Sequence, residues 1–187
     1  MEHRLLSLPG LVLLRPERRS DHRGFFTEQY NEQALAALGI EVRFVQDNLS
    51  FSHEPGTLRG LHFQRPPHAQ AKLIAVLTGE VRDAVVDIRK GSPTYGRSCV
   101  LDLAADEGWQ LFVPPGFLHG YVTRAPDTRV FYKIDAFHCP EAEGAVRWND
   151  PELGIDWGLD PSSVRLSARD ETAAPFGALQ SPFGYDP

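Results

Sequence analysis

The feature that most constrains this chain is a succession of short apolar segments, each closed by a turn signal. They run at 4–14, 24–30, 41–51, 57–64, 71–78, 80–89, 95–103, 109–113, 117–124 and 129–137, and β-branched and aromatic residues mark them as strands. The 16 glycines and 15 prolines are spread along the chain as punctuation. Thr78-Gly79-Glu80, between two apolar runs, looks like a hairpin turn, and Lys90-Gly91-Ser92-Pro93 is another turn. One helix is expected over 31–38: Asn31 can cap it, Leu35 and Leu38 share a face, and Gly39 ends it. Beyond about residue 140 the pattern loosens into Pro-rich and acidic loops with room for one more short helix. No internal repeat and no linker interrupts the chain, so a single domain over 1–187 is expected. Many strands at close spacing imply a sandwich or a small barrel.

Composition narrows the function classes. Of 187 residues, 42% are hydrophobic and 24% charged, an ordinary globular balance that argues against disorder. Lysine and arginine number 19 against 25 acidic residues, a net charge of −6. That balance argues against a nucleic-acid binder, whose affinity comes mostly from phosphate neutralisation, and leaves room for a small anionic ligand held by a few local cations. No run of 18 apolar residues suits a membrane span, and Pro9 and Gly10 break the first apolar stretch before it can form a signal-peptide core. Cys99 and Cys139 form no CxxC pair; both are expected as buried small apolar residues, and a reducing cytoplasm is the expected location.

Five segments carry residues with chemistry. In Thr57–Gln64, Arg59 and His62 stand three apart, which strict alternation would put on opposite faces. Gly60 between them could bulge the strand and aim both into one cavity; the plain alternative is a hydrogen-bonded histidine beside a surface arginine. Lys72 alternates in phase with Ile74 and Val76, so it points inward and needs an anion or a function, or else the strand is reversed and it is solvated. Asp83 and Asp87 share a face with Val81 and Val85 and pose the same question. Tyr132 shares a face with Val130 and Ile134, where a tyrosine is usually core with its hydroxyl satisfied. The turn Pro114–Gly120 has the form P-x-G-x-x-H before a strand and matches the second motif of the cupin barrels. The first cupin motif wants H-x-H followed by Glu; here Gln64 stands at the second position, and His68 or Ala69 where the Glu belongs. His62, His68 and His119 could supply three ligands, but His68 follows Pro66-Pro67 in a loop, so no bound metal is expected.

Taken together the segments resemble the dTDP-4-dehydrorhamnose 3,5-epimerase family of the cupin superfamily. The matching pieces are D-x-R-G-F-F at 21–26, F-V-Q-D-N at 44–48, L-R-G-L-H-F-Q at 58–64, Q-x-K-L at 70–73 and G-E-V-x-D-x-x-V-D-I-R at 79–89. They continue in order with P-x-G-F-x-H-G at 114–120, Y-K at 132–133, E-G at 143–144, W-N-D at 148–150 and L-S-A-R-D at 166–170. The resemblance implies an all-β, cupin-type double-stranded β-helix (jelly-roll) barrel with a few short peripheral helices. It also implies no cofactor, a homodimer, and a substrate of the dTDP-4-keto-6-deoxyglucose type. By position it makes His62 the general base, Tyr132 the general acid, Asp170 the carboxylate that orients the base, and Lys72 the cation beside the ketone oxygen. Arg23, Phe26, Glu28, Gln46, Asp47, Asn48, Arg59, His119, Phe137, His138, Glu143 and Arg169 fall at substrate-binding positions. Arg23 and Glu28 are among those the family typically lends from a partner subunit's N-terminal strand.

The residue types suit that chemistry. A hydrogen beside a ketone is a weak acid, so a near-neutral base must take it and a cation must hold the enolate oxygen. Inversion then needs a proton from the opposite face. Arginines such as Arg23 and Arg59 can clamp a diphosphate with forked hydrogen bonds. One departure stands out: where double epimerases commonly carry two tyrosines, this chain has Phe137-His138. A C3- or C5-only mono-epimerase is therefore the nearest alternative, with a metal-dependent cupin enzyme and a non-catalytic sugar-nucleotide binder further off.

Overall fold

The computed structural model describes residues 1–186. Its strands, in chain order, are Glu2–Leu5 (β1), Val12–Arg15 (β2), Arg18–Asp21 (β3), Gly24–Thr27 (β4), Gln46–Ser52 (β5), Leu58–Gln64 (β6), Lys72–Thr78 (β7), Glu80–Asp87 (β8), Ser98–Ala104 (β9), Gln110–Val113 (β10), Phe117–Thr123 (β11), Thr128–Ile134 (β12) and Glu143–Ala145 (β13). Two short helices, Glu32–Ala36 (α1) and Ala168–Glu171 (α2), lie outside the sheets. Six strands form one antiparallel sheet in the order β1-β2-β10-β7-β12-β5, and five form another in the order β13-β6-β11-β8-β9. This is the jelly-roll arrangement that the family resemblance implies, and it agrees with the sandwich or small barrel read from the strand spacing. Among the described residues no helix is long and apolar enough to cross a membrane.

Period-two alternation sorts the apolar residues into three layers. Between the sheets, Leu13, Ile74, Leu111 and Val130 of the first meet Val81, Val85, Leu103 and Phe117 of the second. Behind the five-stranded sheet, Leu61, Phe63, Ala84, Val86 and Leu118 pack against Trp148, Trp157 and Phe176 of the C-terminal segment. Behind the six-stranded sheet, Leu14, Leu73 and Phe112 pack against Leu35 of α1 and Ile40. The alternation fixes the direction of the polar residues too. Lys72, in phase with Ile74, and Asp83, in phase with Val81 and Val85, both face the space between the sheets.

Several expectations need correction. Thr78-Gly79-Glu80 does not close a hairpin: β7 pairs with β10 and β12, β8 with β11 and β9, so the turn carries the chain from one sheet to the other. Gly79 is required there by its φ of +79° and because a Cβ would sit 2.3 Å from Thr128 Oγ1. The segment 4–14 is two strands, β1 and β2, that pair with each other around a turn. Of 41–51 only the part from Gln46 onward is strand, and 24–30 ends as strand at Thr27. The helix of 31–38 covers Glu32–Ala36, with Asn31 accepting from the Ala34 N–H as its cap. Neither cysteine is fully buried: both Cys99 and Cys139 are partly exposed free thiols.

Candidate active site

Gly60 determines how β6 presents its side chains. Opposite β11, His62 pairs with His119 but Arg59 pairs with Tyr121, so β6 carries one extra residue at the bulge. Gly60 has φ +135°, and a Cβ on it would lie 2.5 Å from Gly120 Cα. The bulge turns Leu58 and Leu61 to the outer core and leaves Arg59 and His62 on the inner side. Both then line one cavity of about 520 Å³, together with Lys72, His119, Tyr121, Tyr132, Arg169 and Asp170. Of the two readings of the Arg59–His62 spacing, the shared cavity is the one the structure adopts.

Within the cavity His62 Nε2 donates to Asp170 Oδ1 at 2.5 Å. Asp170 is buried on α2, whose first turn is capped by Ser167; Ser167 Oγ also donates to Asp170 Oδ2 at 2.9 Å. Burial works against the Asp170 charge, but the bonds from His62 and Ser167 and the nearby Arg169 outweigh it and hold the carboxyl below its ordinary range. An ionised Asp170 only accepts, so the ring proton of His62 sits on Nε2 and Nδ1 is the basic nitrogen. Tyr132 and Lys72 come from β12 and β7 of the facing sheet. Burial raises the Tyr132 phenol, with Arg59 opposing and Glu143 adding to the rise, so it stays protonated at neutral pH. Burial pushes Lys72 down to about 8, while Asp83 and Glu143 favour its charge. The arrangement puts a base on one wall and, on the other, a neutral hydroxyl donor and a cation.

The remaining expected residues are placed as follows. Arg59, His119 and Arg169 line the cavity. Glu143, Gln46, Asn48 and His138 form a linked set outside its lining: Arg169 Nη1 pairs with Glu143, His138 Nδ1 lies 3.7 Å from Glu143, and Gln46 accepts from the His138 N–H while donating to Asn48. Phe137 is 67% exposed. Asp47 instead pairs with Lys133 at 2.6 Å, on the outer face of the sheet. Arg23, Phe26 and Glu28 are not brought to this cavity: Arg23 is 79% exposed and holds Asp21, and Phe26 projects from the β3–β4 hairpin. Gln64, which stands where a metal-binding cupin has a ligand, clamps a loop: it donates to His68 and Phe137 carbonyls and accepts from the Cys139 N–H. The three-histidine set is not assembled; among the described residues no three His, Cys, Asp or Glu side chains gather as a metal site.

Tyr121, Ser50 and Ser167 were not singled out from the sequence, and Asp83 only as a carboxylate in need of a partner. Asp83 Oδ2 accepts from His119 Nε2 at 2.8 Å, and Tyr121 and Ser50 share a 2.6 Å hydroxyl bond. Burial raises the Tyr121 phenol to about 12. Ser167 was detectable as the first residue of an S-x-x-D helix start, and Asp83 as a carboxylate on a core face.

A family model described as dTDP-4-dehydrorhamnose 3,5-epimerase matches residues 5–177. The chain belongs to this family. A dTDP-4-dehydrorhamnose 3,5-epimerase from Salmonella typhimurium LT2 is 44% identical over 168 residues, covering 89% of this chain and 91% of that one. The crystal structure of the Bacillus anthracis 3,5-epimerase with TDP and PPi bound superposes with a TM-score of 0.91 at 43% identity, covering 94% of this chain and 99% of that chain. That of the Legionella pneumophila 3,5-epimerase in complex with dTDP-4-keto-L-rhamnose superposes with a TM-score of 0.94 at 36% identity, covering 100% of this chain and 99% of that chain. Membership in the 3,5-epimerase family makes this chain an isomerase of jelly-roll fold.

Proposed function

We propose that this enzyme inverts C3 and C5 of dTDP-4-dehydro-6-deoxy-D-glucose to give dTDP-4-dehydro-L-rhamnose. The observation that carries the reading is the division of the cavity: His62, set by Asp170, on one sheet, and Tyr132 with Lys72 on the sheet facing it. The C4 ketone acidifies the hydrogens on both neighbouring carbons. Nδ1 of His62 takes one of them, and the electron pair moves onto the C4 oxygen as an enolate. The Lys72 ammonium stabilises that oxyanion, and the Asp170 carboxylate stabilises the imidazolium. Tyr132 then protonates the same carbon from the opposite face, and the phenolate and imidazolium re-equilibrate with solvent. The cycle repeats at the second carbon. Arg59, His119 and Arg169 supply the cations and donors suited to the diphosphate and sugar hydroxyls.

The working unit in this reading is a homodimer. The outer face of the six-stranded sheet carries an unpartnered apolar stripe in which Leu49 is 60% and Leu77 44% exposed, beside a groove lined by Tyr30, Leu73, Ala75 and Phe131. A second copy covers that stripe, and the exposed β3–β4 hairpin reaches the partner's cavity with Arg23, Phe26 and Glu28. The free thiols Cys99 and Cys139 suit a reducing cytoplasm.

Turnover in deuterated water tests the assignment. Two inversions place deuterium at both C3 and C5 of the product sugar. Label confined to one carbon after prolonged incubation identifies a mono-epimerase, the alternative that the Phe137-His138 departure favours; no label at all defeats the epimerase reading.

A further inference from the structure

Asp83 lies on the inner face of β8, fully buried. One of its oxygens accepts from His119, and the other, Oδ1, has no hydrogen-bond partner among the described residues. An uncompensated carboxylate oxygen in a core is costly, so a charge nearby is expected to repay its burial. Of the cations that line the cavity, Lys72 is half-buried while Arg59, Arg165 and Arg169 are exposed. Lys72 is the inward-facing cation of β7, and Asp83 is the carboxylate whose charge acts on it most strongly, without touching it.

The other ionisable groups around Lys72 leave Asp83 the main support. Glu143 on β13 also favours the ammonium, but it is already paired with Arg169, which opposes it. Asp170 is committed to His62 and Ser167. Arg59 adds positive charge to the cavity, His119 is bound to Asp83 itself, and Tyr121 and Tyr132 are held neutral. An ammonium in so enclosed a place loses its proton near neutrality unless a counter-charge holds it.

We propose that Asp83 is a positioning residue of this enzyme: its buried carboxylate, one oxygen on His119 and one free, is the counter-charge that keeps Lys72 an ammonium and the anchor that fixes the His119 ring. The proposal rests on the epimerase reading for what Lys72 does, since only a charged Lys72 can hold an enolate oxygen. It assigns the neutral-pH competence of the site to a residue that does not line the cavity.

The pH dependence of kcat is the test, with dTDP binding as the check on folding. Wild-type kcat is expected to fall on the basic side with a midpoint near 8. Asp83→Asn removes the charge and keeps the shape, and is expected to move that limb about one pH unit lower, since removing a buried counter-charge shifts a partner by this order. Asp83→Glu, which restores the charge, is expected to bring the limb back. Superimposable profiles for wild type and Asp83→Asn overturn the proposal. A direct readout needs no turnover. The chain has three lysines, Lys72, Lys90 and Lys133, so the ¹³Cε resonance of Lys72 is assigned by its loss in Lys72→Arg. A Lys72 that titrates at the same pH in wild type and in Asp83→Asn, with dTDP binding kept, overturns the proposal. Absence of epimerisation by wild type, with the lysine still titrating low, defeats the functional reading alone.

Discussion

In the proposed mechanism His62 and Tyr132 divide the work of inversion, and removing each should leave a different residue of activity. In His62→Ala nothing takes the proton, so both inversion and solvent exchange are expected to fall about 10²–10⁴-fold while dTDP binding is largely kept, as for a base that acts mainly in the transition state. In Tyr132→Phe the base still works. His62 removes the hydrogen, exchanges it with solvent and returns it to the same face, so the recovered substrate should carry deuterium without inversion. Mass spectrometry and proton NMR of the recovered sugar read both outcomes. Tyr132→Phe protein that inverts at the wild-type rate would remove the tyrosine from the mechanism. At this scale the sequence was informative where alternation applied: Lys72 beside Ile74, and Asp83 between Val81 and Val85, pointed inward as their phase required. The His62–Asp170 bond was not readable from spacing. It joins residues 108 apart in the chain, and only the motif resemblance suggested it.

Gly60 shows how an element shapes the site. Its φ of +135° and the 2.5 Å approach a Cβ would make to Gly120 leave no room for a side chain. Gly60→Ala is expected to destabilise the fold by about 2 kcal/mol or more, from strained backbone and displaced strands, and to lower activity as His62 shifts. Urea denaturation beside a turnover assay measures both. Asp87 is the counterpart at the end of β8, away from the chemistry. It accepts from Arg89, Ser92 and Thr94, and these bonds outweigh burial and hold it at about 2, against an ordinary 3.8. A lowered folded value stabilises the protein above the unfolded value and loses that stabilisation as pH falls from about 4 to about 2. Asp87→Asn should therefore cost about 2 kcal/mol at pH 7 and nearly nothing at pH 2, by denaturant titration at each pH. The bulge at Gly60 was legible because a glycine inside an apolar strand has few other uses. The corner at Gly79 was not, because Thr-Gly-Glu serves a hairpin and a change of sheet equally well. The strand β3, Arg18–Asp21, was missed because it has no apolar residue to mark a face.

At the scale of the whole molecule, the open question is whether one chain makes a complete site. The cavity gathers His62, Tyr132 and Lys72 from a single chain, yet Arg23, Phe26 and Glu28 stand outside it on and beside an exposed hairpin. The homodimer reading makes those residues act in the neighbouring cavity, which a complementation experiment can decide. His62→Ala disables the cavity of its own chain, while Arg23→Ala disables the cavity of its partner. Each homodimer is then inactive. In a mixed dimer both lesions fall on one site and leave the other intact. Equal amounts of the two variants, mixed under conditions that allow subunit exchange, give half mixed dimers with one good site each, so activity is expected to rise to about a quarter of wild type. If Arg23 served its own cavity, the mixed dimer would carry one lesion in each site and no activity would return. Light scattering on the same samples gives the second check: a chain that is monomeric at micromolar concentration and fully active needs no partner. A dimer lost on Leu77→Glu, with activity lost alongside, ties the apolar stripe of the six-stranded sheet to the shared site.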